Sequence, residues 1–398
     1  MALLHIPLHQ IDETRLAALV AGGAAESRTI EYKRVTYGNA HADYSEFLAD
    51  ASSFANTSGG DLVLGVEAPK GIPIAIKPLT ISMDQEILRL EQVVRGGLQP
   101  RLSNIAFHPV PIKAGGNVLI FRIPRSYNPP HRIIRQGNNR FWARSSGGKY
   151  EPDVNELRLL FNAAPQLADR IRNFRLDRVA KLAADDGPVR LMGDGGLILH
   201  VVPLSAFDMA PSLPLSQIVQ NYNSFAPIGS ESASLARINF NGVLKTSNAR
   251  QRATEQRAYL QLYRNGIVEA VTSRLITLSS EKPTIFALDD GLIQEIMRAL
   301  KDLAFIGIEP PYAVLVSLIG VAGAQINFGR GQWLGDWGES FDQDQYHFDE
   351  VIFETVPSTK AECAAVIRPL LDQIANASGQ AASPVFDDEG RYTHPRAQ

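Results

Sequence analysis

The sequence holds one cysteine, Cys363, among 398 residues. A disulfide within the chain is therefore excluded, as is a zinc site built from several thiolates. Long apolar runs are also missing. The most apolar later run, Pro311 to Ile326, is shorter than a membrane span needs and carries Tyr312, Ser317 and Gln325. The opening MALLHIPLHQIDETR is too briefly apolar for a signal peptide and turns acidic at once, so a soluble, reducing, cytoplasmic setting is expected, with no membrane partner. There is no internal repeat and no low-complexity tract. Neither a P-loop lysine–serine pair nor a Rossmann glycine pattern occurs, which weighs against the common nucleotide-binding folds.

What is present is ordinary in bulk and uneven in distribution. The length exceeds what one core of about 100–200 residues uses, so two domains are expected. Net charge is only −3. Residues 1–160, however, carry 18 Lys+Arg against 15 Asp+Glu, a net of +3, and the remainder carries 21 against 27, a net of −6. No acidic residue lies between Glu91 and Glu151, while Arg95, Arg101, Lys113, Arg122, Arg125, Arg132, Arg135, Arg140, Arg144 and Lys149 do. A second basic set, Arg170, Arg172, Arg175, Arg178 and Lys181, follows. The first half looks built to meet phosphate.

Periodicity predicts helices over 12–21, 43–56 and 84–95, with strands over 28–35, 61–67, 105–112, 117–123 and 140–143. Asp153 and Glu156 form a capping box for a helix through Phe161. The order α-β-α-β-α-β-β-β-α describes a compact α+β or mixed α/β unit ending near residue 162. A basic connecting helix is expected over 163–186. A second α+β domain follows over 187–380, with strands at 197–203, 236–244, 258–262, 266–272, 313–319 and 351–355 and helices at 292–303 and from Thr359 to Gly379. Residues 381–398 read as a flexible tail. The acidic, aromatic stretch 330–348 reads either as a recognition surface or as a long hairpin connection with partly buried aromatics.

Three features in residues 26–67 carry chemistry. In Glu26-Ser-Arg-Thr-Ile-Glu31-Tyr-Lys33, Glu31 and Lys33 are two apart on a strand and share a face. A carboxylate that holds a divalent cation beside a lysine that orients water or steadies a phosphate is an arrangement of metal-dependent nucleases. The same spacing serves equally as a solvated surface pair. Glu67 ends the strand DLVLGVE, where Gly65 leaves room for a substrate backbone. Phe54-Ala-Asn-Thr-Ser-Gly-Gly60 could offer backbone N–H groups to an anion, or simply stop a helix.

The blocks ESRTIEYK, FANTSGGDLVLGVE, NPPH at 128–131 and RFWARSSGGKYEPDVNELRLLF at 140–161, in this order, resemble the Alba-like domain of the Schlafen family over residues 12–162. The resemblance implies an endoribonuclease fold, dependent on Mg²⁺ or Mn²⁺, acting on structured RNA such as tRNA, in bacterial anti-phage defence or stress response. The family's acids fall on Glu26, Glu31 and Glu67, its lysine on Lys33. Its third acid is commonly aspartate, so Glu67 is one methylene longer than usual. Animal members clasp RNA between two lobes, and only one is legible here. A homodimer would complete the groove.

Arg132, Arg135, Arg140, Arg144 and Lys149 are interleaved with Tyr127, Phe141, Trp142 and Tyr150, as expected of a surface that neutralises phosphates and stacks bases. His131 is a further candidate phosphate contact, or a structural histidine after a proline turn. Two other readings stay open: a non-catalytic nucleic-acid-binding transcriptional regulator, and a nucleotide-binding sensor using FANTSGG as its cradle. In the defence reading the C-terminal domain is a sensor and regulator, and a protein trigger that it binds is the expected partner.

Overall fold

The computed structural model describes residues 3, 6–193, 195–208, 213–233, 235–247, 255–273, 276–277, 283–286, 288–327, 337–387 and 389–393. The chain forms two compact units, Met1–Leu167 and Ala168–Gln398. Both mix helices and sheets, so the protein is of the α+β class.

The first unit is built on a four-stranded sheet. Helix α1 (Glu13–Ala21) starts where the Asp12 carboxylate accepts the Arg15 N–H at 2.9 Å. Strand β1 (Ile30–Lys33) then runs parallel to β2 (Gly60–Leu64), and helix α2 (His41–Ala55) makes the crossover between them. Gly65, at φ +102°, ends β2 and turns the chain into β3 (Val66–Glu67), which pairs with β4 (Ala75–Ile76). Helix α3 (Met83–Gly97) leads into β5 (Leu98–Gln99). Strands β6 (Ala106–Pro111) and β7 (Asn117–Ile123) complete the sheet in the order β1-β2-β7-β6. Strand β8 (Arg132–Ile133) pairs with β5, and β9 (Ala143–Ser145) with β10 (Gly148–Tyr150) forms a separate hairpin.

Alternation along the strands divides the core in two. On one face Ile30, Tyr32, Val63 and Ile120 pack with Leu16 and Leu19 of α1. On the other, Leu62, Leu64, Leu119 and Phe121 meet Phe47, Leu48 and Phe54 of α2 and Leu90 and Val94 of α3. Glu31 and Lys33 therefore project on the α2 side, from the strand that ends the sheet order.

Helix α4 runs unbroken from Val154 to Ala183, with Pro165 inside it, where the sequence suggests two helices. Its start is the expected capping box: Asp153 Oδ1 accepts the Glu156 N–H and Glu156 Oε2 accepts the Asp153 N–H, both at 2.9 Å.

In the second unit an eight-stranded sheet takes the order Leu235–Asn239, Gly242–Thr246, Ala258–Tyr263, Val268–Thr272, Gly196–Pro203, Tyr312–Ile319 and Gln345–His347, with Val351–Phe353 also on Tyr312–Ile319. The predicted single strand 236–244 is a hairpin. It turns through Phe240-Asn241, and Gly242, which opens the second strand at φ +144°, has no room for a Cβ beside Leu262 O. Helices α6 (Leu288–Phe305) and α7 (Lys360–Ala377), which follow the short α5 (Leu215–Gln220), supply Leu292, Ile296, Leu300, Ile367 and Leu371 to the main core.

Two expectations for this half need correcting, those for the second basic set and for the tail. The second basic set is not all free to meet phosphate: Arg175 donates to Phe348 O at 2.5 Å, and Arg178 donates to the buried Glu269 at 2.7 and 2.9 Å. Glu269 also accepts from His200 at 3.0 Å and from the Tyr259 hydroxyl at 2.8 Å. Burial alone would raise this carboxyl, but the donors from His200 and Arg178 outweigh it and bring its pKa to about 2. In the acidic stretch, Phe341 and Phe348 are core residues, as in a hairpin connection; Trp333 and Asp336 lie outside the described residues. The segment read as a flexible tail is packed over part of its length, with Val385 buried and Phe386 bridged to Tyr392; residues 394–398 lie outside the described ones.

Candidate functional site

Where α2 crosses the sheet edge, six charged side chains meet. The Glu31 carboxylate is bound by the Arg144 guanidinium on one side and by Lys33 Nζ at 3.0 Å on the other. Asp50, on α2, has no solvent exposure. Its Oδ2 accepts from the Tyr37 hydroxyl at 2.7 Å and lies 3.7 Å from Lys33. Its Oδ1 accepts from Lys149 at 2.9 Å and lies 3.8 Å from Arg144. Glu46, one turn before Asp50, reaches Lys33 at 3.0 Å and Lys149 at 4.0 Å.

Local structure explains the convergence. The β1 alternation puts Glu31 and Lys33 on the α2 side. In the β9–β10 hairpin Lys149 lies opposite Arg144, so the two cations share a face. Arg144 is also fixed, since Nε donates to Ser27 O at 3.2 Å and its plane lies 4.3 Å over the Phe54 ring. Burial would lower the Lys33 pKa, but Asp50 and Glu31 beside it outweigh burial and raise it, so the ammonium stays charged. Burial, with the charge of Asp50 next, raises the Tyr37 hydroxyl well above its usual value, which keeps it a donor.

Glu26 stands beside this cluster. Its Oε1 accepts the Tyr32 N–H at 3.2 Å, and its pKa is raised by burial and then by the nearby charge of Glu31. Glu67 faces elsewhere: its carboxylate lies 3.6 Å from Arg34 and 3.7 Å from Lys77. The cause is Gly65. The sequence reads 61–67 as one strand, whereas the turn at Gly65 breaks the alternation and sends Glu67 off with β4. The space at Gly65 serves this chain's own backbone, because a Cβ there would stand 3.2 Å from Lys77 O.

A divalent ion does not fit the three predicted ligands in this arrangement. Among the described residues no three His, Cys, Asp or Glu side chains form a group able to hold a metal. Both oxygens of Glu31 already face cations, and Glu67 pairs with other partners.

The FANTSGG segment is a clasp rather than an anion cradle. The N–H groups of Asn56, Thr57 and Gly59 donate to Ser52 O and Phe54 O within the turn. The buried Asn56 side chain donates to His131 O at 3.2 Å and Trp142 O at 2.8 Å and accepts the His131 N–H at 2.7 Å. The four sequence blocks are thus tied together, Asn56 joining three of them and Arg144 the fourth. His131 is correspondingly structural: it is 2 % exposed, its Nδ1 contacts Pro100 O at 2.7 Å, and burial lowers its pKa.

The predicted basic surface divides. Arg144 is buried and Lys149 is paired with Asp50, so both belong to the cluster. Arg140 is exposed but pairs with Glu151 at 2.9 Å. Arg132 and Arg135 remain. Arg132 donates to Gln99 at 2.9 Å, and Arg135 lies 4.1 Å over the Tyr44 ring. With the exposed Arg95 and Arg101 they border the β5–β8 ladder, and among the described residues none of the four is ion-paired with a carboxylate. Phe141 packs edge-on against Phe161, and the Tyr150 hydroxyl donates to Glu156.

Sequence reasoning missed Asp50, Glu46 and Tyr37. Asp50 was legible: it lies three residues after Phe47 and four before Phe54, so it falls within the apolar stripe of α2. An acid there needs buried donors.

No helix among the described residues is long and apolar enough to cross a membrane. No curated protein sequence matches the chain. Among solved structures, a protein from Corynebacterium diphtheriae is 17% identical with a TM-score of 0.25, covering 38% of this chain and 29% of its own. The N-terminal domain of a putative ATP-dependent DNA helicase RecG-related protein from Nitrosomonas europaea is 20% identical with a TM-score of 0.27, covering 36% of this chain and 95% of its own. This chain thus spans under a third of the length of the Corynebacterium protein. Residues 26–153 match the family model described as Schlafen, AlbA_2, and the N-terminal domain is of that type.

Proposed function

We propose that the N-terminal domain binds nucleic acid, with RNA as the preferred partner, through the arginines that border the β5–β8 ladder. The observation that carries this reading is the division of the basic residues. Arg144 and Lys149 are paired with carboxylates of the cluster, while among the described residues Arg95, Arg101, Arg132 and Arg135 have no carboxylate ion pair. Arginines left in this state bind phosphate by releasing counterions, and the Arg135–Tyr44 stack adds a flat surface for an unpaired base. The test is RNA binding by the full chain as a function of salt. Arg132→Ala with Arg135→Ala should weaken binding and flatten the logarithmic salt slope by about 0.7 per arginine on single strands. An unchanged slope sinks the assignment.

A second reading, divalent-metal-dependent cleavage of structured RNA such as tRNA, is supported by one observation: Glu31 and Lys33 stand side by side on β1, 3.0 Å apart. It requires Arg144 to release Glu31. Cleavage of bulk tRNA with Mn²⁺ by the wild type, lost in Glu31→Ala while binding persists, would establish it.

A further inference from the structure

We propose that Glu46 occupies a phosphate-binding position: its half-exposed carboxylate stands in for an anion that Lys33 and Lys149 grip together once Glu46 swings away. Three observations meet at this point. One oxygen of Glu46 serves both ammonium groups, at 3.0 Å from Lys33 and 4.0 Å from Lys149. Both lysines are held from beneath by the fully buried Asp50, at 3.7 and 2.9 Å, and Lys33 also by Glu31 at 3.0 Å. The lysines are thus oriented by the fold and do not depend on Glu46 for their position. Exposure is graded to match: 1% for the Asp50 side chain, 25% and 24% for the lysines, 49% for Glu46.

The charges match the proposed ligand. Glu31, Glu46 and Asp50 balance Lys33, Arg144 and Lys149. Turning Glu46 outward removes one negative charge from beside Lys33 and Lys149, and one backbone phosphodiester replaces it there. An exposed ion pair contributes little, on the order of 1 kcal/mol or less, so the internal anion is easily replaced. Glu46 then acts as a competitor built into the site. It lowers affinity for weakly held phosphates and admits one only when the rest of the ligand is already bound.

The ligand class is a phosphate group. Its assignment to a nucleic-acid backbone rests on the binding function proposed above, whereas the site itself rests on its own geometry. The experiment uses the full chain as wild type, Glu46→Gln and Glu46→Ala, with folding checked by circular dichroism. Binding of a labelled single-stranded RNA is followed by fluorescence anisotropy between about 50 and 200 mM salt. Both variants should bind about three- to tenfold more tightly, with a salt slope steeper by about 0.7. In parallel, inorganic phosphate should raise the thermal midpoint of both variants more than that of the wild type. If wild type and variants bind RNA with equal affinity and slope, and phosphate protects them equally, the site is refuted while nucleic-acid binding stands. If none binds RNA but phosphate still protects the variants selectively, the site stands and the nucleic-acid function falls. Weaker RNA binding by Glu46→Gln refutes the site outright, because Glu46 would then help hold the ligand.

Discussion

Each unit of this protein gathers buried acids, basic residues and tyrosine, and the two gatherings differ in one respect. In the second unit Glu269 is sealed: His200, Arg178 and Tyr259 take its oxygens, and neither Glu269 nor His200 has any solvent exposure. In the first unit Asp50 is equally buried, but the cluster continues outward through Lys33 and Lys149 to a half-exposed Glu46. The chemistry is alike and the roles separate. A sealed cluster can only hold its elements together, whereas one that reaches the surface has a group it can exchange for a ligand.

The largest expected effect tests the sealed side. Glu269→Ala leaves Arg178 buried without its partner and should cost about 3–5 kcal/mol. It is read as lost hydrogen-exchange protection in Gly196–Pro203 and Val268–Thr272, with the first unit unaffected. Arg144→Ala asks whether the base of the open cluster is equally structural. Glu31 and Asp50 lose their shared guanidinium, and protection in α2 and β1 should fall by about 3 kcal/mol. Full protection in that variant would erase the distinction between a fixed base and an exchangeable top.

Asp289 supplies the converse case, a sealed carboxyl with no ion-paired cation among the described residues. It accepts from Ser383 at 2.7 Å, its other oxygen has no hydrogen-bond partner among the described residues, and burial raises its pKa from 3.8 to about 6. A raised carboxyl contributes stability that is complete below its unfolded value and is lost as pH climbs through the folded one. Asp289→Asn should therefore match the wild type near pH 4 and exceed it by about 1–3 kcal/mol at pH 7, in denaturant titrations at the two pH values. A wild-type advantage at pH 7 would contradict this. The smallest effect is at the open end: Glu46→Gln should change stability by no more than about 0.5 kcal/mol in the same titration. A loss of several kcal/mol would make Glu46 structural and remove the contrast.

How far the sequence could be read depends on the range of the interaction that decides each feature. The helices around Phe47 and Leu90 and the capping box of Asp153 follow from contacts within a few residues, and they were legible. The side shared by Glu31 and Lys33 follows from strand alternation and was legible too. The placement of Glu67 was not, because a single turn at Gly65 cancels the alternation on which it was read. Nor was the continuity of α4 through Pro165, which local propensity argues against.

The sequence by itself determined the α+β class, the uneven charge and the four blocks that mark the N-terminal domain. Composition and short-range periodicity do not depend on how distant segments meet. Only the tertiary structure decided which charges are used up inside and which remain outside. Arg144 and Arg135 are nine residues apart and look alike in the sequence, yet one is buried against Glu31 and the other stacks on Tyr44. Burial and partner are properties of packed neighbours, more than a hundred residues away in the case of Arg144, and no local pattern encodes them.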